Sequence, residues 1–125
     1  KDLLFIVMGS IVNEVVGAAK ILSKRGISCK IMVVASVSPP PIQDLVEALS
    51  QFQVALTIEV HYIRGGLGSL VSELVAEKAL HCRVIRCGIN DAFGGVSGSR
   101  NFLYRKHGLS AGLLAARAIK ALRKT

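Results

Sequence analysis

"LLFIVMGSIVNEVVGAAKIL", residues 3–22, changes its period halfway along, and that change decides the fold. Residues 3 to 8 are apolar without a break, the pattern of a strand covered on both faces. From Ile11 onward the apolar positions recur at three and four, through Val12, Val15, Val16, Ala19 and Leu22. That spacing lines one face of a helix. Ser10 stands where an N-cap belongs, and Lys24, Arg25 and Gly26 supply a basic last turn and a C-cap. The stretch reads as a buried strand followed by a helix.

The unit then repeats. "ISCKIMVVASV", residues 27–37, is a second buried strand, and "SPPPIQDLVEALSQF", residues 38–52, opens a helix with proline in its first turn and Ile42, Leu45, Val46, Leu49 and Phe52 on one face. "QVALTIEV" is a third strand, and Leu67, Leu70, Val71, Leu74 and Val75 line a third helix that starts near Ser69. "CRVIRCGI" is the fourth strand. Residues 90–101, "NDAFGGVSGSRN", are a loop, and "FLYRKHG" is a short helical turn ended by Gly108. Ser110 caps a last helix with Ala111, Leu114, Ala115, Ala118 and Leu122 inward and Arg117, Lys120, Arg123 and Lys124 toward solvent. Strands alternating with helices at this spacing predict a three-layer α/β/α sandwich with a mainly parallel sheet.

A chain of 125 residues is sized for one domain, residues 1–125, with a single core. It is 51% hydrophobic with only 19% charged residues and a mean hydropathy of +0.50, too apolar for disorder and suited to an oligomer contact. No apolar run reaches the roughly 18 residues that span a bilayer, and the start lacks a secretion signal, so the reading is cytoplasmic with no membrane partner. The chain begins at "KDLLFIV" without an initiator Met and looks like a fragment of a longer chain. Three cysteines cannot all pair and show no CxxC half-site, which favours reduced structural thiols; Cys82 and Cys87 fall on opposite faces of their strand. Residues 81–125 hold nine Lys/Arg against Asp91 alone, so the last third carries the whole excess of the +8 net charge. Without interleaved aromatics this favours a solvated helix face or an acidic partner over nucleic acid.

In an open parallel sheet, ligands sit beyond the carboxyl ends of the strands. The richest such end is "EVHYIRGGLGSLVSELV", residues 59–75. Gly65, Gly66 and Gly68 permit backbone conformations closed to other residues, and the helix N-terminus behind them, helped by Arg64, can hold a phosphate. A small flavodoxin-like phospho-ligand binder using the Gly65–Ser69 turn is the alternative this raises. Against it, neither GxGxxG nor GxxxxGK[ST] is present, and Glu59 puts a negative charge beside the anion. Glu59 and His61 can pair as acid and base, or can serve as a hydrogen-bonded clamp for the loop. No nucleophile constellation is assembled by spacing.

Taken together, residues 3–22, residues 59–75 and "INDAFGGVSGSRNFLYRKHGLSAGLLAARAIKAL" resemble the C-terminal domain of transketolase, which also occurs in deoxyxylulose-phosphate synthase and in the beta subunits of 2-oxo-acid dehydrogenases. The most specific parts are Glu59, His61 and the turn Gly65, Gly66, Leu67, Gly68, Ser69, then Asp91, Ala92, Phe93, Gly94 and Ser97, Gly98 before the Tyr104 to Leu109 turn. The Phe-Gly, Ser-Gly and His-Gly-Leu combinations favour the transketolase branch, with its split C-terminal-section members.

The resemblance implies a non-catalytic assembly and dimerisation domain. The parent would transfer two-carbon ketol units between sugar phosphates, using thiamine diphosphate and a divalent metal, Mg, held between two other domains. This chain has no Gly-Asp-Gly metal motif and no room for those domains, so neither cofactor nor metal is expected within it. Its partners would be the other domains or subunits of the parent, in a homodimer. The resemblance gives Glu59, His61, Gly65, Gly66, Gly68, Ser69, Asp91, Phe93 and Gly98 a place in the family motif and its interface, with no catalytic role. It also places an antiparallel edge strand just before Leu3, missing here, which would leave one sheet edge open.

Overall fold

The computed structural model of the chain describes residues 2–35, 37, 39–62, 66–89 and 108–124, with His61, Tyr62 and Ile89 described by main chain alone. Along it run β1 (Leu3–Met8), α1 (Val12–Ser23), β2 (Cys29–Val33), α2 (Ile42–Leu49), β3 (Val54–Tyr62), α3 (Leu67–Glu77), β4 (Arg83–Ile89) and α4 (Ala111–Arg123). Among the described residues the strands form one parallel sheet in the order β2-β1-β3-β4.

The unbroken apolar run of β1 follows from that order, because β1 is interior and covered on both faces. Leu3, Phe5 and Val7 point into one cluster with α1 and α4, and Leu4 and Ile6 into the other with α2 and α3. All five are fully buried. β3 follows the same alternation, with Val54, Leu56 and Ile58 toward α1 and α4. Its other face turns polar as it leaves Ala55: Thr57 and Glu59 are buried there, at 0% and 1% exposure. The architecture is the α/β/α sandwich that the alternation of periods predicts. Cys82 and Cys87 do fall to opposite sides of the sheet.

Four local readings need correction. β2 is an edge strand, half-buried for most of its length with Val33 61% exposed, because apolar content cannot distinguish an interior strand from an edge one. The N-cap of α1 is Ile11, not Ser10, with no side-chain bond. α3 starts at Leu67, two residues before Ser69. Val16 and Ile42, assigned inward by period, are 37% and 43% exposed, since the apolar stripe is wider than the strip of helix the sheet covers. The loop expected over 90–101, the turn expected after it, Ser36 and Ser38 lie outside the described residues.

α1 and α4 pack together along one face of the sheet through small residues. A Cβ placed on Gly17 would come 2.9 Å from the Cβ of Ala111, so the glycine sets how closely the two helices approach. Gly112, one residue along α4, has open space at the same position. No helix among the described residues is long and apolar enough to cross a membrane.

Two glycine substitutions are therefore expected to have opposite signs. Gly17→Val should lower stability by about 1–3 kcal/mol through overpacking. Gly112→Ala should raise it by about 0.5–1 kcal/mol by relieving the helix of a glycine. Urea midpoints of the two variants, read against the parent chain, check both.

Candidate functional site

The third strand-to-helix seam is built around one carboxylate. Ile58 pairs with Cys87 and Tyr62 with Ile89, so Glu59, Val60 and His61 stand opposite Gly88 alone. The irregularity lies on the β4 side, and Glu59 keeps its register opposite Met8 of β1, on the same face as Ala55 and Thr57. Glu59 Oε1 accepts the Leu67 N–H at 2.9 Å, and Oε2 accepts the Gly68 N–H at 2.8 Å. These are two of the first-turn donors that a helix cannot satisfy within itself. Gly66, the N-cap residue of α3, provides no side chain to do so.

Burying a carboxylate costs several kcal/mol unless its oxygens are well bonded. Here both oxygens take charge-assisted bonds, and the charge sits at the positive end of a helix. The arrangement accounts for the glycines as well. Gly66 has φ −106°, a value any residue adopts, so the left-handed region is not the reason for it. A Cβ at Gly66 would fall onto Glu59 Oε1. One at Gly68 would press within 3.0 Å of the Arg86 side-chain stem and 3.1 Å of Thr57 Oγ1. The glycines are needed because α3 lies directly on β3. Thr57 Oγ1, beneath Gly68, is buried with no hydrogen-bond partner among the described residues.

Chemically the seam is a joint. The N-terminus of α3, where the alternative reading puts a phosphate, is already held by an internal anion. The helix therefore offers these donors to a diphosphate only if Glu59 is displaced. α4 shows the same device: the Ala111 N–H donates to Glu14 Oε2 at 3.0 Å, while Ser110, the N-cap, makes no side-chain cap bond. Thiamine diphosphate, which the resemblance implies for the parent, does not fit these two helix ends. Among the described residues no group of three or more His, Cys, Asp and Glu side chains could hold a metal ion.

Of the motif residues, Glu59, Gly66, Gly68 and Ser69 come together here, with Ser69 half-buried in the first turn of α3. His61 lies in β3 with its side chain outside the described part, and Gly65, Asp91, Phe93 and Gly98 lie outside it altogether. Sequence reasoning missed Glu14 as a cap for a helix 97 residues away. As an acid in the first turn of α1 it looks like a partner for that helix's own dipole. Arg117, assigned to solvent, is half-buried and donates to the Arg86 carbonyl at 3.2 Å.

All three thiols are free, and burial pushes each up to about 11. Asp2 adds to the rise at Cys29, and at Cys87 Arg117 opposes it. They are packing groups rather than nucleophiles.

The chain's sequence matches the family model "Transketolase, C-terminal domain" over residues 1–113. It is 36% identical over 124 residues to a putative transketolase C-terminal section from Methanocaldococcus jannaschii, covering 99% of this chain and 38% of that protein. It is 35% identical over 106 residues to a subunit of an apulose-4-phosphate transketolase from Actinobacillus succinogenes, covering 85% of this chain and 34% of that protein. Its structure superposes on a split gene transketolase, described as an inactive beta4 tetramer, with a TM-score of 0.88 and 32% identity, over 98% of this chain and 40% of the other. The chain thus spans well under half the length of these relatives.

Removing the Glu59 carboxylate leaves two buried N–H groups unpaired. Glu59→Ala is expected to cost about 3 kcal/mol and Glu59→Gln, which keeps one acceptor oxygen, about 2 kcal/mol. Amide exchange at Leu67 and Gly68 should accelerate in both; unchanged protection at those two amides would remove the clamp. For the thiols, iodoacetamide at pH 8 should alkylate the folded chain roughly a hundredfold more slowly than the urea-unfolded chain. The folded chain holds these protons more tightly than the unfolded one, whose thiols titrate near 9.0. That share of stability is intact below about pH 9 and is lost as pH climbs through about 11. Urea midpoints between those pH values measure the loss.

Proposed function

Because the chain belongs to the transketolase C-terminal domain family, we propose that it is the non-catalytic assembly and dimerisation domain of a cytoplasmic, thiamine-diphosphate-dependent transketolase. On this reading residues 1–125 form one domain of a longer or split enzyme whose remaining parts move a two-carbon ketol unit between sugar phosphates. Thiamine diphosphate and magnesium would be held by those other parts. The relatives support the split arrangement by their names, one being a C-terminal section and another a single subunit of its enzyme.

The observation that carries the reading is the occupied N-terminus of α3. The most ligand-like feature of the sequence is closed by Glu59, whose two oxygens are both taken as backbone acceptors. A domain that fills its own anion site, and whose exposed apolar residues include Val33 on β2, an end strand of the sheet among the described residues, is suited to bearing on other polypeptides. The motif residues Glu59, His61, Gly65, Gly66, Gly68, Ser69, Asp91, Phe93 and Gly98 would shape that bearing surface rather than touch substrate.

Calorimetric titration of the chain with thiamine diphosphate and magnesium should give no binding heat. Mixing it with the cofactor-binding sections of its own enzyme should restore ketol transfer from a ketose phosphate to an aldose phosphate, and sedimentation should show the paired assembly. Stoichiometric cofactor binding by the chain alone would overturn the proposal, as would full transferase activity of the other sections in its absence.

A further inference from the structure

A second feature lies across the sheet from the Glu59 seam and owes nothing to it. Between β4, the last strand of the sheet among the described residues, and the C-terminal half of α4 runs a cleft of about 240 Å³. Its walls are Arg83, Ile85, Arg117, Lys120, Ala121 and Lys124. Four of the six are cations and none is an acid. On α4 the positions 117, 120, 121 and 124 fall at three and four, on one helical face. On β4, Arg83 and Ile85 are two apart, on one face of the sheet. Strand and helix therefore turn their basic faces toward the same cleft.

Among the described residues no acid lines the cleft. Of the exposed acids among the described residues, Asp44, Glu47, Glu73 and Glu77 lie on α2 and α3, in the opposite layer of the sandwich, and Asp2 accepts the Ser28 N–H beside β2. Glu14, on the helix packed beside α4, is bound to the Ala111 N–H at the other end of α4. The two arginines are braced from below: Arg83 Nη1 donates to the Ala121 carbonyl at 3.5 Å and Arg117 Nη2 to the Arg86 carbonyl at 3.2 Å. A guanidinium has five donors, so one such bond orients it and leaves others to aim outward. Favourable interaction with the helix dipole accounts for Lys120 and Lys124 near the end of α4. It does not account for Arg83, which reaches the same cleft from the strand. Another groove, of about 300 Å³ between β2 and α2, mixes Lys30 with Asp44 and Glu47 and so selects no sign of charge.

We propose that the cleft between β4 and α4 docks an acidic, extended segment of a partner polypeptide, its carboxylates meeting Arg83, Arg117, Lys120 and Lys124 and an apolar residue between them resting on Ile85 and Ala121. The floor of the cleft favours this occupant over nucleic acid. Among the described residues it is aliphatic, with no aromatic ring on which a base could stack. Guanidinium groups fixed by backbone carbonyls suit the planar, two-oxygen geometry of carboxylates.

The test uses the chain with a fluorescein-labelled peptide of alternating Glu and Val, read by anisotropy, with four companions: the same peptide with Lys for Glu, oligothymidylate, phosphatidylserine vesicles, and the double variant Lys120→Glu, Lys124→Glu. Saturable binding of the acidic peptide at low salt is expected, weakening about tenfold or more toward ~0.3 M salt as the charges are screened. The double variant, with circular dichroism of the parent chain, should lose at least about tenfold in affinity. Amide shifts on binding should cluster on β4 and the second half of α4. No saturable binding at low salt, binding indifferent to the double variant, or equal binding of the Lys peptide would overturn the proposal. Tighter binding of oligothymidylate or of the vesicles would also overturn it, assigning the cleft to a nucleic acid or a lipid surface.

Discussion

The Glu59 carboxylate, 1% exposed and shared between the Leu67 and Gly68 amides, fixes the relation between sheet and helix at the third seam. A buried negative charge is tolerated only where donors converge on it, and the end of a helix is one of the few places in a small domain where they do. Satisfying Glu59 brings α3 down onto β3. The close approach then excludes a side chain at Gly66, where a Cβ would strike the carboxylate, and crowds one at Gly68 against Thr57 and Arg86. The glycine turn is thus a consequence of the carboxylate rather than an independent feature.

The same solution appears on the other face of the sheet. Glu14 supplies the cap that the side chain of Ser110 does not, and Gly17 lets α1 and α4 approach closely enough for it to reach. In both places a carboxylate from a different element satisfies the first turn of a helix. Such bonds tie distant parts of the chain together, which a local N-cap cannot do. They also close two helix ends that would otherwise attract anionic ligands. Among the described residues, the exposed acids carried by helices lie on α2 and α3, and a cleft lined by four cations lies beside α4.

Much of the candidate site is legible in the sequence and part of it misleads. Glu59 and the glycines stand out because an acid and a glycine cluster at a strand-to-helix junction leave few physical options. The phosphate reading fails on a point that spacing cannot resolve: whether Glu59 faces away from the helix end or into it. Glu59, in regular register with Met8 and on the face of Ala55 and Thr57, decides that by facing α3. The glycine cluster suggests unusual backbone angles, whereas Gly66 is ordinary in φ and matters for the side chain it lacks. Glu14 escapes a local reading because its partner lies 97 residues on.

The alternation of unbroken apolar runs with periods of three and four determined the order of elements and the three-layer class, because a strand covered on both faces is apolar throughout and a helix covered on one side is apolar along one stripe. Family membership was likewise readable from the motif stretches. Tertiary structure alone decided which strands are interior, which helix ends are closed by which carboxylates, and where cations from β4 and α4 converge. Each of those depends on distances between residues far apart in the chain. Period and composition are local quantities and carry no record of them.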